Sequence, residues 1–126
     1  MKNVLEFLEE TERKYPERIA VEDETICIKW CELKSFSQRI GSFLCKVSDA
    51  KKPIAIVAEK GTFTLTAMLG TVYAGCFYVI VDPALPMGRV HEIFQILEPE
   101  AVLILKEQNE DMVRNAGYNG KIIILL

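Results

Sequence analysis

The sequence predicts an α/β fold: a mainly parallel sheet with helices on both faces, preceded by an N-terminal helix and a hairpin. From residue 54 onward, short continuous apolar runs alternate with stretches whose apolar residues recur at helical spacing. Right-handed crossovers turn that order into parallel strands. The runs at 54–58, 77–81 and 101–105 show no polar alternation, as expected of strands covered on both faces. Gly75, Pro83, Pro86 and Pro99 punctuate the junctions, where left-handed turns and missing amide donors end regular structure.

Each element follows in order. Val4, Leu5, Leu8 and Tyr15 recur through a charged background, predicting an amphipathic surface helix over residues 3–14 with Asn3 as its cap and Pro16 as its stop. Ile19-Ala20-Val21 and Thr25-Ile26-Cys27-Ile28 flank the polar Glu22-Asp23-Glu24, which reads as a hairpin turn. Leu33, Phe36, Ile40, Phe43, Leu44 and Val47 form the clearest helical stripe, whose apolar face is expected to cover a sheet. Lys51-Lys52-Pro53 closes that unit and 54–58 is a strand. Leu65, Met68, Leu69, Val72 and Tyr73 mark the next helix and Phe77–Val81 the next strand. Pro83 and Pro86 force the chain out of the sheet, and Pro86 can serve as the first residue of a helix. Its apolar face carries Val90, Ile93, Phe94 and Leu97. A strand at 101–105, a weaker helix at 109–115, a turn at 117–120 and a strand at 122–126 complete the chain. So apolar a last strand is normally central or covered, so the chain reads as part of something longer. Its open edge and uncovered apolar faces predict self-association.

Half of the 126 residues are hydrophobic and 26% are charged, the composition of one compact domain over 1–126. A net charge of −3 with scattered Lys and Arg gives no footprint for nucleic acid or anionic membranes. The acidic N-terminus lacks a signal peptide, which points to the cytoplasm. The uncharged stretch 62–81 has the length of a membrane span, but its threonines, tyrosines and glycines argue for a buried helix, turn and strand instead. Cys27, Cys31, Cys45 and Cys76 form no CxxC pair and read as buried free thiols in a reducing compartment. A zinc set of Cys27, Cys31 and His91 is rejected, because such a set is usually no more than packed side chains. His91 is expected to be a surface helix residue.

No GxGxxG and no GxxxxGK[ST] occurs. Glu59-Lys60-Gly61-Thr62 stands between a strand and a helix, where backbone amides could hold an anion. The plainer reading is a helix start capped by Thr62 or Thr64. Glu59, Asp82 and Lys106 fall at the carboxyl ends of three successive strands, the edge where open α/β sheets bind ligands. Two carboxylates and a lysine there would suit a stand-alone flavodoxin-like interaction or phospho-acceptor module. A receiver, however, carries an acidic pair after its first strand, and Asp82 is followed by a proline that serves the chain exit.

Gly75-Cys76-Phe77-Tyr78-Val79-Ile80-Val81-Asp82-Pro83, followed by Pro86-Met87-Gly88-Arg89, resembles the G-x-x-Y-V-P-I-D-P-x-x-P-x-x-R core motif of amino-acid adenylation domains. Leu69-Gly70-Thr71-Val72-Tyr73-Ala74 resembles the family's helix into that motif. Tyr15-Pro16-Glu17-Arg18-Ile19-Ala20-Val21 resembles its P-x-x-x-A-V stretch, and Lys29-Trp30-Cys31-Glu32-Leu33 its T-Y-x-E-L helix start. Ile80 replaces the family's proline and Trp30 its tyrosine. The Asp-Pro and Pro-x-x-Arg signature is more like the amino-acid-activating branch than the acyl-CoA synthetases. The resemblance implies part of an acetyl-CoA synthetase-like N-terminal domain, as in nonribosomal peptide synthetases and D-alanine carrier-protein ligases. It implies a parent enzyme that uses ATP and Mg²⁺ to form an aminoacyl adenylate and passes the acyl group to a carrier-protein thiol. The family's Ser/Thr/Gly-rich phosphate loop ending in Pro-Lys, its ribose-binding aspartate and its late catalytic lysine have no counterpart in these residues. No catalytic, cofactor-binding or metal-binding residue is therefore carried over. The partners implied are the remainder of the adenylation domain and a carrier protein.

Overall fold

The computed structural model describes residues 3–125. Helix α1 (Val4–Lys14) starts at Asn3, whose side chain accepts the Glu6 amide at 2.9 Å. Strands β1 (Ile19–Glu22) and β2 (Cys27–Lys29) pair antiparallel as the predicted hairpin. Helix α2 (Trp30–Val47) leads to β3 (Pro53–Val57), α3 (Thr62–Tyr73), β4 (Phe77–Val81), α4 (Met87–Leu97), β5 (Ala101–Ile104), α5 (Asn109–Asn115) and β6 (Lys121–Ile124). Leu126, with which the predicted last strand ends, lies outside the described residues.

The four later strands form one parallel sheet in the order β4-β3-β5-β6. Side-chain alternation along β3 splits the core in two. Ile54 and Ile56 join Leu44 of α2 and Ala67 of α3 on one face, while Ala55 and Val57 join Val90 and Phe94 of α4 and Val113 of α5 on the other. The sheet is thus covered by helices on both faces. A third cluster of Leu8, Ile28, Leu33 and Leu69 fastens α1 and the hairpin to α2 and α3. Tyr73 Oη donates to Glu9 across the same junction at 3.1 Å.

Several sequence expectations need correction. Strand β4 is an edge strand, with Phe77 50% and Ile80 40% exposed. An apolar run looks alike at the centre and at the edge, and only pairing order separates them; fully covered strands are β3 after Pro53 and β5. Phe43 of the α2 stripe is exposed, while Leu33, Ser37, Gly41 and Leu44 are buried. The reason is a close helix crossing. A Cβ built on Gly41 would lie 2.7 Å from Tyr73 Cβ, and one on Gly70 2.6 Å from Ile40 Cβ. Helix α2 therefore covers the sheet only toward its C-terminal end, through Leu44 with Ile40 and Val47. Cys27 and Cys45 are exposed and Cys31 is half-buried, so of the four thiols Cys76 alone is buried as expected. Pro86 is the N-cap of α4 rather than its first residue, because its ψ of 144° is extended.

Candidate functional site: the crevice at the carboxyl edge of the sheet

Strand β4 lies on one side of β3 and β5 on the other, so the chain changes winding direction between β3 and β5. The loops leaving those two strands diverge toward opposite faces and leave a crevice, the usual ligand position in open α/β sheets. Here it has a volume of about 750 Å³. Glu59, Lys60 and Gly61 line it after β3, Leu105 and Lys106 after β5, and Asp23 enters from the tip of the hairpin.

Asp23 is the organising residue. Its Oδ1 accepts from the Thr25 amide at 2.8 Å, the Thr25 hydroxyl at 2.9 Å and the Ile26 amide at 3.0 Å. Its Oδ2 reaches across the crevice and accepts from the Thr62 amide at 2.9 Å. The Thr62 amide first, and the Thr25 amide next, hold the carboxyl well below its ordinary range. It is therefore ionised at neutral pH and sits at the positive end of α3. This corrects the expected cap: neither threonine side chain caps α3. The N-cap is Gly61, and Thr64 Oγ1 instead donates back to the Glu59 carbonyl.

The crevice brings together two of the three strand-end residues. Glu59 and Lys106 line it; Asp82 does not, and its Oδ1 accepts from the Ala84 amide at 2.9 Å within the exit turn. His91 is exposed on α4, with Nδ1 2.7 Å from the Ala116 carbonyl oxygen. Among the described residues no three His, Cys, Asp or Glu side chains are grouped to hold a metal ion. None of the described helices is long and apolar enough to cross a membrane. The crevice lining is of mixed charge, with Lys60 and Lys106 beside Asp23, Glu24 and Glu59, and the Thr62 amide at the start of α3 is already taken by the Asp23 carboxylate. Sequence reasoning missed Asp23 in this role, although its turn position was legible.

Sheet order and crevice define a doubly wound α/β architecture of the ligand-binding kind. Residues 8–125 match the AMP-binding enzyme family, and the chain belongs to that family. It is 29% identical over 107 residues to a D-alanine–D-alanyl carrier protein ligase of Listeria monocytogenes, a match covering 83% of this chain and 21% of the ligase. It is 26% identical over 125 residues to tyrocidine synthase 1 of Brevibacillus parabrevis, covering 98% of this chain and 11% of the synthase. The structure of VinN in complex with 3-methylaspartate superposes with a TM-score of 0.90 at 18% identity, over 98% of this chain and 34% of VinN. The chain thus spans about a fifth or less of the length of these two curated relatives.

Proposed function

We propose that this chain is the N-terminal structural portion of an ATP-dependent ligase that activates an amino acid, or another carboxylic acid, as its acyl adenylate for transfer to a carrier-protein thiol. The observation that carries this reading is the family match over residues 8–125, together with relatives named as a carrier-protein ligase and a peptide synthase. ATP and Mg²⁺ belong to the parent enzyme. These residues contribute a scaffold, a reading supported by the Thr62 amide at the start of α3 being filled from within by Asp23. The partners are the remainder of the adenylation domain and the carrier protein, in the cytoplasm. Where no such partner is present, we propose that the open sheet edges associate with one another.

The chain alone is then inactive in amino-acid-dependent ATP–pyrophosphate exchange, since positioning a triphosphate needs backbone and lysine donors outside this set. Exchange above background with any amino acid, lost on a point substitution in this chain, would overturn the scaffold reading. The reading also requires the coding DNA beyond residue 126 to continue, directly or after a frameshift, into a Ser/Thr/Gly-rich loop ending in Pro-Lys.

A further inference from the structure

We infer that Cys45 and Cys76 are an oxidisable dithiol that closes as an intramolecular disulfide in the folded chain. The two residues are far apart in sequence and form no CxxC motif, yet both thiols address one acceptor. Cys45 Sγ and Cys76 Sγ each lie 3.9 Å from the Ala74 carbonyl oxygen. The sulfurs are therefore separated by no more than twice that distance. Cys45 occupies the last turn of α2 and Cys76 directly precedes β4. The segment carrying Cys76 is fixed rather than free: its thiol donates to the Asp49 carbonyl at 3.3 Å, and the Lys51 amide donates to Gly75 at 2.8 Å. Gly75 makes this turn in the left-handed region, at φ 76°. Closing the pair needs a rotation of the Cys45 side chain, which is on the surface.

Exposure divides the labour. Cys45 is exposed and meets the oxidant, whereas Cys76 is buried and meets only Cys45. With a low-molecular-weight disulfide as oxidant, the Cys45 thiolate attacks one of its sulfurs and releases one small thiolate, leaving a mixed disulfide. The deprotonated Cys76 sulfur then attacks Cys45 Sγ, forms the Cys45–Cys76 bond and expels the second small thiolate. Two protein thiols are oxidised, one small disulfide is reduced to two thiols, and the two thiol protons pass through water to the released thiolates. The other cysteines cannot substitute in the folded state. Cys31 lies at the opposite end of α2 from Cys45, about 20 Å away along the helix axis, and Cys27 precedes it on β2. The new bond would tie the end of α2 to the turn entering β4 and enclose β3 and α3 in a covalent loop.

The test is to incubate the folded chain with oxidised glutathione, alkylate the remaining thiols with N-ethylmaleimide and map the peptides. The expected product carries a Cys45–Cys76 linked peptide, is about 2 Da lighter than the reduced chain before alkylation, and reverts with dithiothreitol. Cys76→Ala should stop at a glutathione adduct on Cys45, while Cys45→Ser should give neither adduct nor link at these two positions. Circular dichroism establishes that each variant is folded, and Cys27→Ser with Cys31→Ser should leave the link unaffected. Linkage in the folded chain should be about tenfold faster than in urea. Equal rates in both, a wild-type product that stops at the Cys45 adduct with Cys76 still alkylatable, or a link from Cys45 to Cys27 or Cys31, would each refute the dithiol.

Discussion

The carboxylate of Asp23, at the tip of the β1–β2 hairpin, accepts the backbone amide of Thr62 at 2.9 Å and so caps α3 from another element of the fold. The hairpin is thereby fixed to the carboxyl edge of a sheet with which it shares no strand pairing. Asp23→Ala leaves the Thr62, Thr25 and Ile26 amides without that acceptor and should lower Tm by a few degrees. Asp23→Asn keeps an oxygen acceptor but loses the charge at the helix terminus and should fall between the two. Because the folded carboxyl lies below its ordinary 3.8, its stabilisation is complete above that value and disappears as pH falls through the folded pKa. The stability gap between wild type and Asp23→Asn should therefore be constant near neutral pH and shrink only below about pH 4. Urea midpoints across pH 3–7 measure it, and a gap that does not change with pH would contradict the charge argument.

Gly70 faces Ile40 so closely that an added methyl group would lie 2.6 Å from Ile40 Cβ and 3.1 Å from the Ser37 carbonyl. Gly70→Ala gains up to ~1 kcal/mol of helix propensity but must part α2 from α3, which costs about 1–3 kcal/mol or more. The expected net effect is destabilisation in denaturant unfolding. Ile40→Ala should not rescue it, because the clash involves Ile40 Cβ, which alanine retains. Rescue by that second substitution would show that the helices can separate cheaply.

Burial first, and the hydrogen bond to Glu9 second, push the Tyr73 phenol from 10.0 up to about 12. The folded state thus keeps a proton that the unfolded chain releases. Its contribution is whole below pH 10 and is lost as pH rises toward 12. Tyr73→Phe should flatten the decline of stability between pH 10 and 12, read as urea midpoints at constant ionic strength. An unchanged slope would mean that Tyr73 ionises normally in the fold.

Local signals were legible in the sequence and long-range ones were not. Helix α5 was placed at its observed bounds by Met112 and Val113 between turn residues, and β3, α4 and β5 to within a residue or two, since periodicity and proline act locally. The position of β4 in the sheet was illegible: Phe77–Val81 and Pro53–Val57 are equally apolar, and pairing order alone makes one an edge and the other central. Asp23 could be read as a turn residue, but its bond to Thr62 spans 39 positions, and no local pattern records such a cap. Gly41 of α2 and Gly70 of α3 carry no apolar periodicity, so nothing local marks them as the surface through which the two helices touch.

The β6 edge yields the final prediction. In the parallel ladder Ile124 stands opposite Ile104, and the Leu125 amide donates to the Ile104 carbonyl at 2.9 Å. The backbone groups of residues 123 and 125 therefore face β5, and the N–H and C=O of Ile124 point away from the sheet. The Ile124 side chain packs partly against the cluster of Val102, Ile104 and Val113. A charge at 124 would disturb that packing as well as any edge contact, so Ile124→Lys should lower stability. Ile124→Pro is the cleaner probe: it removes an outward donor without touching a bond to β5, as prolines on natural edge strands do. If β6 pairs between copies, the wild-type chain should associate at micromolar to millimolar concentration, and Ile124→Pro should sediment as a monomer with unchanged circular dichroism. A wild-type chain that stays monomeric throughout that range would defeat edge pairing. So would association that survives Ile124→Pro but is lost in Ile80→Lys, which would place the contact on the exposed β4 edge instead.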